Sequence, residues 1–166
     1  MMALSAASGN GMPMMFVPSM HNDIFDDPVT GDLLESVSEM GVKVFYDDSK
    51  EGRRKQPDPA SIVANFSNFL NSFLEGRKRV AITLGANRAP IDSIRYIQNT
   101  STGETGWSIA EHLHMMGHEV ICITGNTTRG PKFKLPDIRL DDSPSGMLNL
   151  CLELAKCSSR PEVWIQ

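Results

Sequence analysis

The chain has 166 residues, 16 of them basic and 20 acidic, with a net charge of -4 and a pI near 5.5. A unit of this size buries roughly 68–70% of the surface its unfolded chain exposes, so one domain or two incomplete ones can form a core, and a 40% hydrophobic content excludes disorder throughout. The acidic balance gives no basic footprint for nucleic acid, and no apolar run approaches the roughly 18 residues that span a bilayer, so neither kind of partner is expected.

The Met-rich N-terminus carries no Lys or Arg before its apolar stretch and does not read as a signal peptide. Residues 14–17 predict a first strand. Asp27-Pro28 then predicts an N-cap followed by proline at the first helical position, and Gly41 closes that helix. Residues 42–46 form the second predicted strand. Asp58-Pro59 repeats the capping device ahead of Ile62, Val63, Phe66, Phe69, Leu70, Phe73 and Leu74, which follow one face of a 3.6-residue period. Glu75-Gly76-Arg77-Lys78-Arg79 is a charged joint before the next strand; it reads equally as a boundary or as a helix end whose cations complement the dipole.

Residues 80–84, 120–124, 138–140 and 163–165 predict four more strands, mostly too apolar to own a solvent face. A helix over 102–116, ended by Gly117, and another opened by Ser143-Pro144 with Leu148, Leu152 and Ala155 on its inner stripe lie between them. The alternation predicts an α/β fold with a doubly wound, mostly parallel, Rossmann-like sheet. Three cysteines, Cys122, Cys151 and Cys157, lack CxxC spacing. Neither a disulfide framework nor a metal site is expected, and a reducing, cytoplasmic compartment is the default.

In such a sheet ligands bind beyond the carboxyl ends of the strands. After residues 80–84, Gly85 lets backbone approach an anion closely, and Ser101, Thr102 and Gly103 open a helix whose N–H groups and positive dipole end suit a phosphate. Arg95 and Asn99 are four apart. In helical geometry they share a face and could clamp a carboxylate or phosphate; a capped helix with a solvated arginine has the same spacing. The strict GxGxxG fingerprint is absent, so a plain NAD site is not supported. Residues 129–134, Arg-Gly-Pro-Lys-Phe-Lys, read as a solvated loop.

Residues 80–125 carry a more specific pattern: Thr83-x-Gly85, then Pro90-Ile91-Asp92, then Arg95-Tyr96-Ile97-x-Asn99-x-Ser101-Thr102-Gly103, a helix, and a strand ending at Gly125. This resembles the start of the phosphopantothenate–cysteine ligase module of the bifunctional coenzyme A biosynthesis flavoproteins. The resemblance implies that Gly85, Ala86 and Asp92 belong to the nucleotide loop, that Arg95 and Asn99 act on an acyl-nucleotide, and that Ser101, Thr102 and Gly103 lie by the phosphates. Ala86 and Asn87 stand where Gly-Thr is usual in that family, Glu104 where Lys is common, and Asn126 where Pro follows Gly125.

Upstream, the first strand ends at Pro18, followed by Met20 and His21. A histidine there is ordinarily a hydrogen-bonded loop residue. The segment also resembles the Pro-x-Met-Asn loop of the same family's flavin-dependent decarboxylase, with His21 at the Asn position, as in archaeal-type members, which implies that Pro18, Met20 and His21 border FMN and substrate. Residues 26–59 are similar to that module's helix, strand and substrate flap, with Glu51-Gly52-Arg53 as the Gly-Arg stretch.

The resemblance thus implies two incomplete modules. Residues 1–74 would be the C-terminal part of a decarboxylase, 75–79 a linker, and 80–166 the N-terminal part of a ligase. A fragment, or a chain completed by a homo-oligomer or other assembly, is expected. The implied chemistry uses CTP with Mg²⁺ to convert the carboxylate of 4′-phosphopantothenate into an acyl-cytidylate, which the amine of cysteine attacks; FMN-dependent decarboxylation follows in the other module. A non-catalytic α/β binding or assembly module of the same ancestry is the alternative. A flavodoxin-like electron carrier is a third reading, for which Trp107 and Trp164 give thin aromatic content.

Overall fold

A computed structural model of the chain describes residues 6, 7, 9–46 and 56–166. The Glu51-Gly52-Arg53 stretch read as part of a flap lies outside them. The chain divides into two compact units, Met1–Leu70 and Asn71–Gln166.

In the first unit β1 (Met15–Phe16) pairs in parallel with β2 (Lys43–Val44), Met15 opposite Lys43 and Phe16 opposite Val44. Parallel strands need a crossover, supplied here by α1 (Asn22–Phe25) and α2 (Pro28–Glu39). Asp27 holds the N-cap position in extended backbone, although its carboxylate makes no capping bond. Gly41, at φ +80°, ends α2 in the left-handed region. Pro18 has no N–H, so it cannot prolong the ladder, and both strands are shorter than the apolar runs that predicted them. The Asp58-Pro59 device works as expected at α3 (Pro59–Ser72): the Asp58 carboxylate accepts the Ser61 N–H at 3.0 Å and also its hydroxyl. Those two bonds hold its carboxyl below the usual range.

The second unit holds β3 (Arg79–Leu84), β4 (Arg88–Pro90), β5 (Tyr96–Gln98), α4 (Glu104–Met115), β6 (Glu119–Thr124), β7 (Asp137–Leu140), α5 (Pro144–Lys156) and β8 (Val163–Ile165). Four strands form a parallel sheet in the order β7-β6-β3-β8. Its core is Val80, Ala81, Ile82, Val120, Ile121, Cys122 and Ile123, all at most 3% exposed. Leu154 of α5 packs with Ile121 and Ile123 on one face, joined by Met147, Leu150 and Trp164. Gly106 of α4 abuts Leu84. Side chains alternate along a strand, and the register Ala81 opposite Ile121 sets Leu84 on the face away from Ile121 and Ile123. Helices therefore flank both faces, as in a doubly wound sheet. Among the described residues no helix is long and apolar enough to cross a membrane. All three cysteines are free thiols. Burial pushes the Cys122 thiol up to about 12, with the Asp137 charge adding to the effect.

The helical reading around Arg95 and Asn99 is corrected. β4 and β5 form an antiparallel hairpin, Arg88 opposite Gln98 and Pro90 opposite Tyr96. Asp92 is the reason: its carboxylate accepts the N–H groups of Ile94 at 2.9 Å and Arg95 at 2.7 Å, and the Ile91 N–H donates to the Arg95 carbonyl at 2.8 Å. A side chain that satisfies backbone donors two and three residues on closes a turn in competition with helix.

At the amino ends of the strands, Lys78 pairs with Glu162 at 2.7 Å, Arg79 with Glu119 at 2.9 Å, and His118 Nδ1 accepts the Lys78 N–H at 3.0 Å. At the carboxyl end of β7, Asp141 Oδ1 accepts the Ser143 N–H at 3.0 Å and hydroxyl at 2.7 Å, while Ser143 Oγ caps α5 by accepting the Gly146 N–H at 3.0 Å. The Ser143 bonds hold the Asp141 carboxyl below its ordinary 3.8. A carboxyl depressed in the folded state stabilises the fold above its unfolded value, and that contribution is lost as pH falls through the lower folded one. Asp141→Asn should therefore flatten the acid limb of stability measured by urea denaturation against pH; an unaltered limb would show that the knot does not act in this way.

Candidate functional site

From β3 the chain runs to β6 and β7 on one side of the sheet and then returns to β8 on the other. Where connections diverge from adjacent parallel strands, a crevice opens at their carboxyl ends. A cleft of about 280 Å³ lies there, lined by the end of β3 with Gly85, by residues 101–106 at the start of α4, and by Ile165 and Gln166 at β8.

Glycines give the cleft its shape. Gly85 (φ +88°) and Gly103 (φ +80°) are left-handed. A Cβ on Gly85 would lie 2.8 Å from Thr127 Cγ2, and one on Gly103 2.5 Å from the same atom. Neither conformation nor space admits another residue. Gly106 is helical, but a Cβ there would overlap Leu84, so α4 touches the end of β3 only because the side chain is missing. The Ala86 N–H donates to the Asn126 carbonyl at 2.7 Å, and the Asn126 N–H donates back at 2.9 Å. The bonds of this bridge are main-chain only, which explains why Ala86 and Asn126 can stand where other residues are common.

Gly103 is the N-cap of α4 and makes no side-chain cap. Ser101 Oγ accepts its N–H at 3.4 Å and Thr102 Oγ1 accepts that of Glu104 at 3.3 Å. Both bonds are longer than the usual 2.7–3.2 Å, so the hydroxyls hold the first amides weakly. Glu104 lines the cleft, its carboxylate 3.2 Å from Arg129 Nη1. The 129–134 loop, expected to be solvated, docks on α4: Phe133 is buried, Trp107 Nε1 donates to the Arg129 carbonyl at 2.8 Å, and the Lys132 N–H donates to the Glu111 carboxylate. Buried Glu111 needs a donor, and the loop backbone supplies one.

Gly85, Ser101, Thr102 and Gly103 thus share one cleft. Asp92 and Arg95 line a second cavity of about 270 Å³ by the hairpin, with Arg88, Tyr96, Asp142 and Ser143. There Arg95 Nη2 and Nε reach the Asp92 carboxylate at 2.6 and 2.7 Å, and the Arg88 guanidinium lies 3.6 Å from the centroid of the Tyr96 ring. Arg95 holds the Asp92 carboxyl below the usual range, helped by the two turn amides. Asn99 is a strut: its Oδ1 accepts the Asn87 N–H at 2.8 Å, fixing the loop after Gly85. In the first unit Pro18 is buried, while His21 Nδ1 lies 3.0 Å from Asp23 Oδ2 and the His21 carbonyl accepts the N–H groups of Ile24 and Phe25 in α1. Among the described residues no three His, Cys, Asp or Glu side chains converge as a metal site. Sequence reasoning missed Gly106, Thr127 and the role of Arg129. The Gly103-x-x-Gly106 spacing marked the first; nothing local marked the other two.

Residues 74–157, from just after α3 through α5, match the model of the DNA/pantothenate metabolism flavoprotein C-terminal domain family. The chain belongs to this family. The cleft glycines fall inside the matched segment, and Pro18, Met20 and His21 outside it. The coenzyme A biosynthesis bifunctional protein CoaBC of Thermococcus kodakarensis is 38% identical over 112 residues, covering 67% of this chain and 28% of that protein. Its namesake from Mycolicibacterium smegmatis is 29% identical over 127 residues, covering 69% of this chain and 30% of its own. The chain therefore spans less than a third of the length of these curated relatives. Among solved structures, the C-terminal domain of a CoaBC is 33% identical at a TM-score of 0.43, over 50% of this chain and 41% of that one. The DNA/pantothenate metabolism flavoprotein from Streptococcus pneumoniae is 30% identical at 0.44, over 52% and 37%.

Because α4 touches the end of β3 through Gly106, Gly106→Ala should lower stability by about 1–3 kcal/mol through overpacking. Gly130→Ala, whose Cβ would meet nothing within 4 Å, should change it by no more than about 0.5 kcal/mol. Equal urea midpoints for the two variants would contradict the packing.

Proposed function

We propose that the second unit binds the nucleotide of a CTP-dependent ligation of cysteine to 4′-phosphopantothenate, a step of coenzyme A biosynthesis. The observation that carries this reading is the glycine-walled cleft between the carboxyl ends of β3 and β8, with the weakly occupied amides of α4 at its edge. What the named relatives do supports the substrate class.

In this reading the substrate carboxylate attacks the α-phosphorus of CTP, pyrophosphate leaves, and the cysteine amine then displaces CMP from the acyl carbon. The Gly85 and Gly103 backbone receives the phosphates. Arg95, 73% exposed and tied only to Asp92 among the described residues, can exchange that weak surface pair for a forked contact with the anionic intermediate. Asn99 keeps its Oδ1 on the loop and has its Nδ2 left to donate toward a developing oxyanion. Holding the reacting groups together supplies much of the rate in such transfers. The site fits Mg²⁺ carried on triphosphate oxygens with water in its remaining positions; Glu104, the carboxylate on the cleft, is held by Arg129. Bound there, the ion would supply neutralisation of phosphate charge.

For FMN, Pro18, Met20 and His21, which follow the two-residue strand β1, would border the ring, and the flavin when bound would supply the redox chemistry. Further chain segments, from a homo-oligomer or another assembly, would complete both activities, and three free thiols suit the cytoplasm. A binding module without turnover is the second reading, favoured by the separation of Arg95 from the cleft residues.

Calorimetric titration with CTP and Mg²⁺ should give saturable heat that Gly103→Val abolishes; absence of heat with the unaltered chain would overturn the assignment. Asn99→Asp retains the acceptor for the Asn87 N–H and so should leave the melting temperature unchanged. In an assembly that forms product it should slow amide formation about 100-fold by setting a negative charge against the acyl-nucleotide. An unaltered rate would remove Asn99 from the chemistry.

A further inference from the structure

We propose that the Glu104–Arg129 ion pair is a charge latch on the cleft. Glu104 occupies the place of an anion at the mouth, and Arg129 passes from that carboxylate to the polyphosphate of an entering nucleoside triphosphate. The inference rests on the reading of the cleft as a nucleotide site and names the residues that set its affinity.

Arg129 is held by its main chain, and its head makes only an exposed ion pair. Its N–H donates to the Thr102 carbonyl at 3.3 Å, and its own carbonyl accepts from Trp107 Nε1 at 2.8 Å. Trp107 is buried, so this second anchor is rigid. The two anchors fix the base of the side chain against the very residues that start α4. The guanidinium itself is 64% exposed, and Glu104, 59% exposed, is its ion-pair partner among the described residues. Glu104 also borders both the cleft and a smaller cavity of about 170 Å³ that Arg129, Trp107, Ser108 and Lys132 line. One carboxylate thus separates a preplaced guanidinium from the site.

The electrostatics favour exchange. An exposed ion pair at 3.2 Å is weak and screened by salt. A phosphate carries more charge and more acceptor oxygens than a carboxylate, and the guanidinium fork binds it with two parallel bonds. While Glu104 remains at the mouth, its charge opposes the incoming anion and occupies the positive end of the α4 dipole. The latch therefore weakens binding of a lone anion and is released by one charged enough to displace it.

Full-length chain should be titrated by calorimetry with inorganic pyrophosphate and with CTP plus Mg²⁺, at two salt concentrations, for the unaltered protein, Glu104→Gln, Arg129→Gln and Arg129→Lys. Melting temperatures should be recorded beside the affinities. Glu104→Gln is expected to bind pyrophosphate about five- to tenfold tighter, as a like charge leaves a dipole end. Arg129→Gln should bind about tenfold weaker with a shallower salt dependence, and Arg129→Lys should recover most of the loss, all with unchanged melting temperatures. Weaker binding in both Glu104→Gln and Arg129→Gln would mark the pair as merely structural and overturn the latch. CTP binding that none of the variants shifts would also overturn it while leaving the nucleotide site standing. No binding of CTP by any of the four proteins would remove the site and the latch together.

Discussion

The second unit depends on a distance that only missing side chains permit. α4 begins in contact with the end of β3, because Gly106 has no Cβ to collide with Leu84 and Gly103 has none to collide with Thr127. That contact holds the helix start over the sheet edge and keeps its first amides beside the crevice. The sheet supplies the rigidity. Ile82, Ile121 and Ile123 are almost wholly buried, each contributing about 1.5–3 kcal/mol relative to exposure, so the strand end that receives the helix has little freedom to retreat. Packing and site geometry are here the same set of atoms.

The separation between the two cavities gives the loop after β3 a double task. Between Gly85 and Arg88 the chain forms the bridge with Asn126, takes the Asn99 strut, and donates the Arg88 N–H to the Asp142 carbonyl at 2.6 Å. A change on the hairpin therefore reaches the cleft through the Asn99 side chain and the backbone bonds of this loop. The exposed hairpin, with Ile94 86% exposed, is tied to the sheet by those bonds, while the stacking of Arg88 on Tyr96 joins its own two strands.

The elements legible in sequence are those whose signals are local. The Asp58-Pro59 and Ser143-Pro144 starts, the glycine stops at Gly41 and Gly117, and the apolar strands of the four-stranded sheet all state their structure within a few residues, because caps are satisfied locally and a short apolar run marks a buried strand whatever its partner. Around Arg95 the same local reading failed: spacing of four suits a helix, while Asp92 closes a turn that spacing does not register. Of the site, Gly85 and Gly103 were legible because a left-handed backbone needs glycine. Arg129 was not, since its partners Thr102, Glu104 and Trp107 stand more than twenty residues away and only the docked loop brings them together.

The amino ends of the strands carry a different population from the carboxyl ends. His118, Lys78, Glu162, Arg79 and Glu119 join there in ion pairs and a backbone contact, and none of them borders the cleft. The sheet thus has two rims with separate make-up, one an array of exposed ion pairs and the other the cleft. Added salt would therefore screen the first rim and loosen the strand starts while leaving the main-chain bonds at the other end in place.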